Sequence, residues 1–194
     1  MLSAIAIVLT ILSAPAFADA MQDAAAAYAR GDYAAELKIT KPLAEKGESW
    51  AQQWLGLSYA LGTGVPQDYA EAVKWYRLAA TQGDADAQLN LGVIYNHGRG
   101  VVQDYAEAVK WYRLAAAQGN APAQSNLGLL YDNGRGVVQD YVRAHMWYNL
   151  GAVSGKAPKA AKNRDELAAK MTPAQIAEAQ KLARECQARS FKGC

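Results

Sequence analysis

The side chains best suited to acid–base, nucleophilic or metal chemistry are scarce in this sequence. Its two histidines, His97 and His145, fall in different predicted helices, and its two cysteines, Cys186 and Cys194, stand near the C-terminus. Metal sites place such ligands at short fixed spacings, and no His/Cys spacing of that kind occurs. The sequence patterns of a nucleophile elbow, a zinc protease helix and a P-loop are also missing. We therefore predict no catalytic residue, no metal ion and no cofactor, and we interpret His97 as a surface side chain at a helix C-terminus.

Two Gly-Arg-Gly sequences, at 98–100 and 134–136, have the composition of an anion site, because backbone N–H groups and a guanidinium suit phosphate. The equivalent sequence at 62–64 reads Gly-Thr-Gly and lacks the arginine. Glycines are also the residues that a sharp turn needs. We therefore predict structural turns, and we interpret Asp84 and Asp86 as carboxylates that favour the start of a helix.

These residues are set in a sequence that repeats. QDYAEAVKWYRLAA occupies residues 67–80 and again 103–116, so the period is 36 residues, and a looser copy, QDYVRAHMWYNLGA, follows at 139–152. A period in the thirties with helical spacing inside it is typical of an α-solenoid. The repetition indicates a surface built by stacking rather than a single catalytic constellation.

Each repeat is predicted to contain two helices. In the second repeat they cover about 85–97 and 105–118, each with apolar residues at helical spacing on one face. Gly92 lies inside the first helix, where glycine costs about 1 kcal/mol relative to alanine, so we expect a close crossing with no room for a Cβ atom. Gly98 is predicted to end this helix, and Asp104 to cap the next one.

The flanks of the array are less regular. Residues 33–46 resemble a degenerate second helix with 21–29 as its partner, and 158–170 and 173–188 read as two charged helices that cap the array. Residues 156–194 hold nine Lys/Arg against four Asp/Glu, which we interpret as a solvated face, with an acidic partner or anionic lipid as the alternative. The predicted organisation is a signal peptide at 1–18, a degenerate half repeat at 19–48, repeats at 49–84, 85–120 and 121–156, and capping helices with a tail at 157–194.

The N-terminal residues predict export. The chain is apolar from Leu2 to Leu12, and Pro15 and the small-x-small sequence Ala-Phe-Ala at 16–18 follow. This is the pattern of a secretory signal peptide cleaved after Ala18, although its first residues contain no Lys or Arg. We expect a periplasmic or secreted protein, with a retained membrane anchor as the alternative.

Export would permit a disulfide bond between Cys186 and Cys194. Such a bond would hold the C-terminal tail against the last helix and would contribute roughly 2–3 kcal/mol in the chain-entropy model. The alternative is two unpaired thiols on a mobile tail.

The repeated residues resemble the Sel1-like repeat, a relative of the tetratricopeptide repeat, over about 49–155 strongly and 21–47 weakly. The final MTPAQIAEAQKLAREC is also similar to the C-terminal helix of bacterial Sel1-like proteins. The resemblance implies a right-handed all-α solenoid of helix pairs whose concave side binds proteins or peptides. Trp54 and Gly151 depart from the family pattern. In the second repeat the matching residues are Leu91, Gly92, Tyr95, Gly98, Gly100, Val101, Asp104, Tyr105, Trp111, Tyr112, Ala115 and Ala116.

By analogy with tetratricopeptide packing, the first helix of each repeat should line the concave groove. Trp50 and Trp54 share a helix face and would form a hot spot for a peptide, unless the helix at 33–46 covers them. The predicted groove residues are Trp50, Gln53, Trp54, Leu57 and Leu61 in the first repeat, Asp86, Leu89, Asn90, Val93 and His97 in the second, and Pro122, Ser125, Asn126, Leu129 and Asn133 in the third.

The sequence therefore predicts an exported, non-enzymatic protein that binds a protein or peptide partner in the cell envelope as an adaptor, a regulator or an inhibitor/immunity protein. We expect a monomer without stable membrane insertion, and the net charge of +2 does not favour nucleic acid. Two alternatives stay open. One is a penicillin-binding or β-lactamase-like hydrolase, although its Sel1-like precedents carry cysteine pairs in every repeat and this chain does not. The other is a solenoid that assembles with itself.

Overall fold

The structure is a computed structural model that describes residues 14–194 of the chain, with side chains from residue 18 onward. All regular secondary structure in this range is helical. The predicted signal peptide lies mostly in residues 1–13, outside the described residues, and the predicted cleavage position after Ala18 lies within the first helix. The helices are α1 Ala14–Ala29, α2 Tyr33–Glu45, α3 Ser49–Leu61, α4 Tyr69–Thr81, α5 Ala85–His97, α6 Tyr105–Ala116, α7 Ala121–Asn133, α8 Tyr141–Val153, α9 Pro158–Ala168 and α10 Pro173–Ala188.

Consecutive helices pack as antiparallel pairs, α1 with α2, α3 with α4, α5 with α6 and α7 with α8, and each pair packs on the next. Successive first helices (α3 with α5, α5 with α7, α7 with α9) also contact one another, more than the second helices α4, α6 and α8 contact each other. The array therefore curves with its first helices on the inner side. The all-α solenoid with a C-terminal capping segment that the sequence predicts is confirmed.

Capping residues set the helix boundaries inside the array. Asp84 accepts a hydrogen bond from the backbone N–H of Ala87 at 2.8 Å, and α5 ends at Gly98 in the left-handed conformation, with φ 66°. Asp104 caps α6 through the backbone N–H groups of Ala106 and Glu107. The predicted start of α6 and the predicted end of α5 are confirmed.

The Gly-Arg-Gly sequence at 98–100 is a structural turn, as predicted. Gly100 has φ 68°, and a Cβ atom there would lie 2.5 Å from the Cβ atom of Tyr69. The Arg99 guanidinium stacks over the Tyr69 ring, 5.8 Å from its centroid. The arginine therefore ties this turn to the preceding repeat.

The glycine inside each first helix is required by a tyrosine from the second helix. A Cβ atom on Gly92 would lie 2.4 Å from Cδ1 of Tyr112, whose side chain is buried. The close approach that the sequence predicts is present, and an aromatic ring occupies the space. In the degenerate half repeat the equivalent positions hold Ala20 and Thr40, so glycine is absent where the tyrosine is absent. The pairs are Gly56 with Tyr76, Gly92 with Tyr112, and Gly128 with Tyr148.

The same polar contact joins the first repeat to the second and the second repeat to the third. Arg77 Nη2 donates a hydrogen bond to the Tyr95 hydroxyl, and Arg113 Nη2 donates one to the Tyr131 hydroxyl at 2.6 Å. Each arginine also lies 5.9 Å from the centroid of its tyrosine ring. These arginines therefore link the second helix of one repeat to the first helix of the next.

The last two helices cap the array, as predicted. α9 packs on α8 and α7 in the place of a further first helix, whereas α10 packs along α8. Leu150 of α8 is only 3% exposed, while its equivalents Leu78 and Leu114 in α4 and α6 are 48% and 50% exposed. The predicted disulfide bond between Cys186 and Cys194 is present and holds the tail against α10.

Candidate protein-binding groove

The predicted groove residues all lie on α3, α5 and α7, on the inner side of the array. The adjacent stripes that carry residues such as Leu55 and Leu91 are buried, whereas none of the predicted groove residues is. Leu61, Asp86, His97, Leu129 and Asn133 are exposed. Trp50, Gln53, Trp54, Leu57, Leu89, Asn90, Val93, Pro122, Ser125 and Asn126 are half-buried.

Four of these residues meet in one cleft between α3 and α5, which we call the inner cleft. Leu57 and Leu61 contribute one wall, and Asn90 and Val93 contribute the other. The volume of the cleft is about 130 Å³, which suits one side chain of a bound peptide rather than a free metabolite. Its remaining lining residues are Ala60, Tyr69, Tyr76, Ile94 and Arg99.

The inner cleft is mostly apolar, with polar groups at its edge. The Arg99 guanidinium is held over Tyr69, so its charge is positioned before any partner arrives. Burial raises the pKa of Tyr76, so its phenol stays neutral at physiological pH. The arrangement can accept an apolar side chain and offer amide and guanidinium donors to a peptide backbone.

The two tryptophans do not line the inner cleft. Trp54 packs edge-to-face on Tyr28 of α1, with ring centroids 5.6 Å apart. Trp50 packs against a buried cluster that includes Leu43 and Ala44 of α2. Helices α1 and α2 thus cover part of both rings, so the inner cleft is formed without them.

Other predicted groove residues already have partners within the chain. Asn120 Nδ2 donates to Asp86 Oδ1 at 3.0 Å, and Asn133 Nδ2 donates to the Leu129 carbonyl of its own helix at 2.8 Å. A partner would therefore compete with existing hydrogen bonds at these positions. Asn90 differs from them because it is half-buried and lines the inner cleft.

Among the described residues, one carboxyl and one imidazole are buried outside the predicted groove. Glu36 is fully buried, and burial raises the pKa of its carboxyl, although the Ser58 hydroxyl donates to Oε2 at 3.4 Å. His145 is also buried, and burial together with the charge of Arg164 lowers its pKa. Their equivalents are Ala72 and Ala108 for Glu36, and Val73 and Val109 for His145, so each is a polar replacement of an apolar core residue.

A second cleft lies between α6 and α8, and sequence reasoning missed it. Two cavities of about 380 and 340 Å³ share the lining residues Arg113, Tyr131 and Arg143; we call them together the outer cleft. The signal in the sequence was Arg143, which stands where the first two repeats have Glu71 and Glu107.

Within residues 14–194, no group of three or more His, Cys, Asp and Glu side chains has the arrangement of a metal site. No helix in the same range combines the length and apolar character needed to span a bilayer.

Comparisons with known proteins agree with this architecture. The family model described as Sel1 repeat matches residues 51–84, 85–120 and 121–155. No curated protein sequence matches the chain. A solved structure of a protective antigen present in uropathogenic Escherichia coli strains, which displays an SLR fold, is 48% identical with a TM-score of 0.62. The match covers 64% of this chain and 27% of that one.

A Sel1 repeat protein from Oxalobacter formigenes is 39% identical with a TM-score of 0.61. The match covers 68% of this chain and 98% of that one. Since the three family-model matches span more than half of the sequence and coincide with the helix pairs from α3 to α8, the chain belongs to the Sel1 repeat family.

Proposed function

We propose that this chain is an exported, non-enzymatic protein that binds a partner polypeptide along the inner face formed by α3, α5 and α7. Sel1 repeat proteins generally mediate protein–protein interactions, and their fold is typically a non-catalytic scaffold. The observation that carries the proposal is the inner cleft, where Leu57, Leu61 and Val93 present apolar surface beside Asn90.

The rigidity of the array supports this role. Helices α4 to α8 all begin at an Asp or Asn cap, and the Arg–Tyr contacts fix each repeat against the next. Binding to a surface already held in shape loses little conformational entropy on the solenoid side. A short apolar segment of a partner could therefore bind with useful affinity although the inner cleft is small.

The cellular role we propose is that of an adaptor, a regulator or an inhibitor/immunity protein in the cell envelope, acting as a monomer. The apolar N-terminal segment supports export, and the Cys186–Cys194 disulfide is of the kind that persists outside the cytosol. The Escherichia coli relative is a protective antigen, which agrees with a location in the envelope or beyond.

The binding site is tested by affinity capture from envelope extract, with residues 19–194 as bait. The variant Leu57→Asp/Val93→Asp places two charges in the inner cleft, while Leu78→Asp places one on an exposed leucine of α4 as a matched control. Circular dichroism first shows that all baits are equally helical. We expect a protein retained by the parent and by the control but lost by the double variant. Equal retention by all three baits, or no specific retention, would contradict the proposed site.

Export is tested separately by expressing the full chain in a bacterium and determining the N-terminus of the folded product. We expect a periplasmic or secreted protein that begins at Asp19. A cytosolic product that retains the N-terminal segment would contradict export without affecting the proposed groove.

A further inference from the structure

The outer cleft brings two guanidinium groups to one tyrosine. Arg113 of α6 donates to the Tyr131 hydroxyl at 2.6 Å, and Nη1 of Arg143 of α8 lies 3.5 Å from the same oxygen. The two Cζ atoms lie 5.9 and 5.8 Å from the Tyr131 ring centroid. Two positive charges are thus held close together, an arrangement that a bound anion stabilises.

Among the residues that the structure describes, Asp140 contributes the one side-chain carboxylate that lines the outer cleft, and the C-terminal residue Cys194 lines the same space. Oδ2 of Asp140 lies 3.4 Å from Nε of Arg143, and its Oδ1 caps α8 through the backbone N–H of Arg143. No Asp or Glu oxygen in the described part of the chain lies within 4.0 Å of the Arg113 guanidinium. The cation of Arg113 is therefore available to an external anion.

The equivalent position between α4 and α6 shows what is particular to the outer cleft. There Arg77 contacts Tyr95 in the same way as Arg113 contacts Tyr131, but Glu107 stands in place of Arg143 and pairs with Lys110 at 2.5 Å. The Arg–Tyr contact alone is thus a structural link between repeats. Arg143 adds a second positive charge beside the Arg113–Tyr131 contact, and this makes the outer cleft cationic.

Aromatic and apolar surface borders the charges. Phe191 and Trp147 line the same cavity as Arg113 and Arg143. Ser190 and Phe191 both have positive φ, 51° and 64°, a conformation that costs L-residues energy. The disulfide holds this segment in place, so the chain maintains a strained turn that keeps Phe191 at the edge of the cleft.

We propose that the outer cleft binds a carboxylate of a partner polypeptide. Arg113 and Arg143 donate hydrogen bonds to this carboxylate, and Phe191 lies beside it. Guanidinium groups match planar carboxylates through paired hydrogen bonds. The two guanidinium groups and the Asp140 carboxylate give the cleft a net side-chain charge of +1, which a monoanionic carboxylate balances. The cleft shares no lining residue with the inner cleft, so this site is independent of the one under Proposed function.

The test is a selection of random displayed peptides on the immobilised full chain, followed by affinity measurement with synthetic copies of the selected peptides. Arg143→Glu introduces the residue present at both equivalent positions, so the fold should tolerate it. Arg77→Gln is the matched control for Arg113→Gln, since it breaks the same Arg–Tyr link one repeat earlier.

We expect peptides enriched in Asp or Glu, or dependent on a free C-terminus, that bind the Arg143→Glu and Arg113→Gln chains about tenfold or more weakly. Arg77→Gln and Leu57→Asp/Val93→Asp should leave this affinity unchanged. Replacing Glu by Gln in the peptide, or amidating its C-terminus, tells which carboxylate is bound.

Peptides without acidic enrichment, binding that survives Arg143→Glu, or failure to select any peptide would overturn the proposal. Loss of binding in the Leu57→Asp/Val93→Asp chain would place the peptides in the inner cleft and also overturn it. A phosphoserine peptide that binds more tightly than its glutamate counterpart would show that the site prefers phosphate, again contradicting the carboxylate assignment.

Discussion

The contact between Gly92 and Tyr112 allows a direct test of how each repeat holds together. In Gly92→Ala the new Cβ atom would lie 2.4 Å from Cδ1 and 2.5 Å from Cε1 of the tyrosine ring. Carbon atoms in contact normally stay about 3.5 Å or more apart, so the ring must move by about 1 Å. Tyr112 is 2% exposed and lies in the core cluster with Val109 and Leu127, so little space exists for that movement.

Two opposing contributions set the change in the free energy of unfolding that Gly92→Ala causes. Alanine is favoured over glycine inside a helix by about 1 kcal/mol, whereas overpacking a well-filled core costs about 1–3 kcal/mol and sometimes more. The steric cost should be at the upper end, because two ring atoms are approached at once. We expect Gly92→Ala to lower the free energy of unfolding by about 1–2 kcal/mol.

The same substitution should have the opposite sign once the ring is removed. In a Tyr112→Leu background the space beside residue 92 is open, and Gly92→Ala should stabilise by about 1 kcal/mol through helix propensity. Urea denaturation followed by far-ultraviolet circular dichroism measures all four chains of this double-mutant cycle. A stabilising effect of Gly92→Ala in the parent, or an equal effect in both backgrounds, would refute the steric explanation.

Three further predictions follow from buried groups and from the tail. Burial raises the pKa of Glu36 above 4.5, so its stabilising contribution is full below about pH 4.5 and is lost as pH rises through the raised pKa. Glu36→Gln should therefore increase the free energy of unfolding more at neutral than at acidic pH in urea denaturation at both, and equal differences would contradict this. Burial and Arg164 lower the pKa of His145 below 6.5, so its contribution is full above about pH 6.5 and is lost as pH falls. His145→Val, which introduces the side chain of Val109, should remove that acid-dependent loss, and parallel pH profiles of the two chains would argue against it. Cys194→Ser should release the tail and lose up to about 2–3 kcal/mol of local stability; trypsin should then cleave after Arg189 faster while the helical signal stays unchanged, and an unaltered cleavage rate would show that the tail is held by packing alone.

The helix boundaries inside the array were predictable because local chemistry sets them. α5 runs from Ala85 to His97 as predicted, between the cap of Asp84 and the left-handed Gly98. The start of α1 was placed too late, at residue 21 instead of Ala14. The sequence from 14 to 29 has no glycine that would begin or end a helix between these positions, and Pro15 is compatible with a first helical turn.

The inner face was predictable in part. Helical periodicity separates the buried stripe of Leu55 and Leu91 from the residues offset from it, and the offset residues do retain exposure. Periodicity does not show which residues from neighbouring helices meet. That Leu57 faces Val93, while Trp54 faces Tyr28 instead, depends on how α1 and α5 pack against α3.

The position of α10 and the outer cleft depend on contacts between residues distant in sequence. Met146 of α8 stands where the first two repeats have Lys74 and Lys110, which indicates that another helix covers this position. The repeat pattern does not show which helix that is. Likewise, the change from glutamate to Arg143 is visible in the repeats. That this change creates a pair of arginines is evident only from the structure, in which Arg113 and Arg143 both contact Tyr131.

The repeated Arg–Tyr contacts also bear on how such a gene can change length. Because α4 meets α5 through the same residue pair that joins α6 to α7, a duplicated copy of residues 85–120 would meet matching surfaces on both sides. Gain or loss of a whole repeat would thus change the extent of the binding surface, while α9 and α10 continue to cap the last repeat. The Escherichia coli relative, of which this chain covers 27%, shows that the same kind of repeat also exists within a much longer protein.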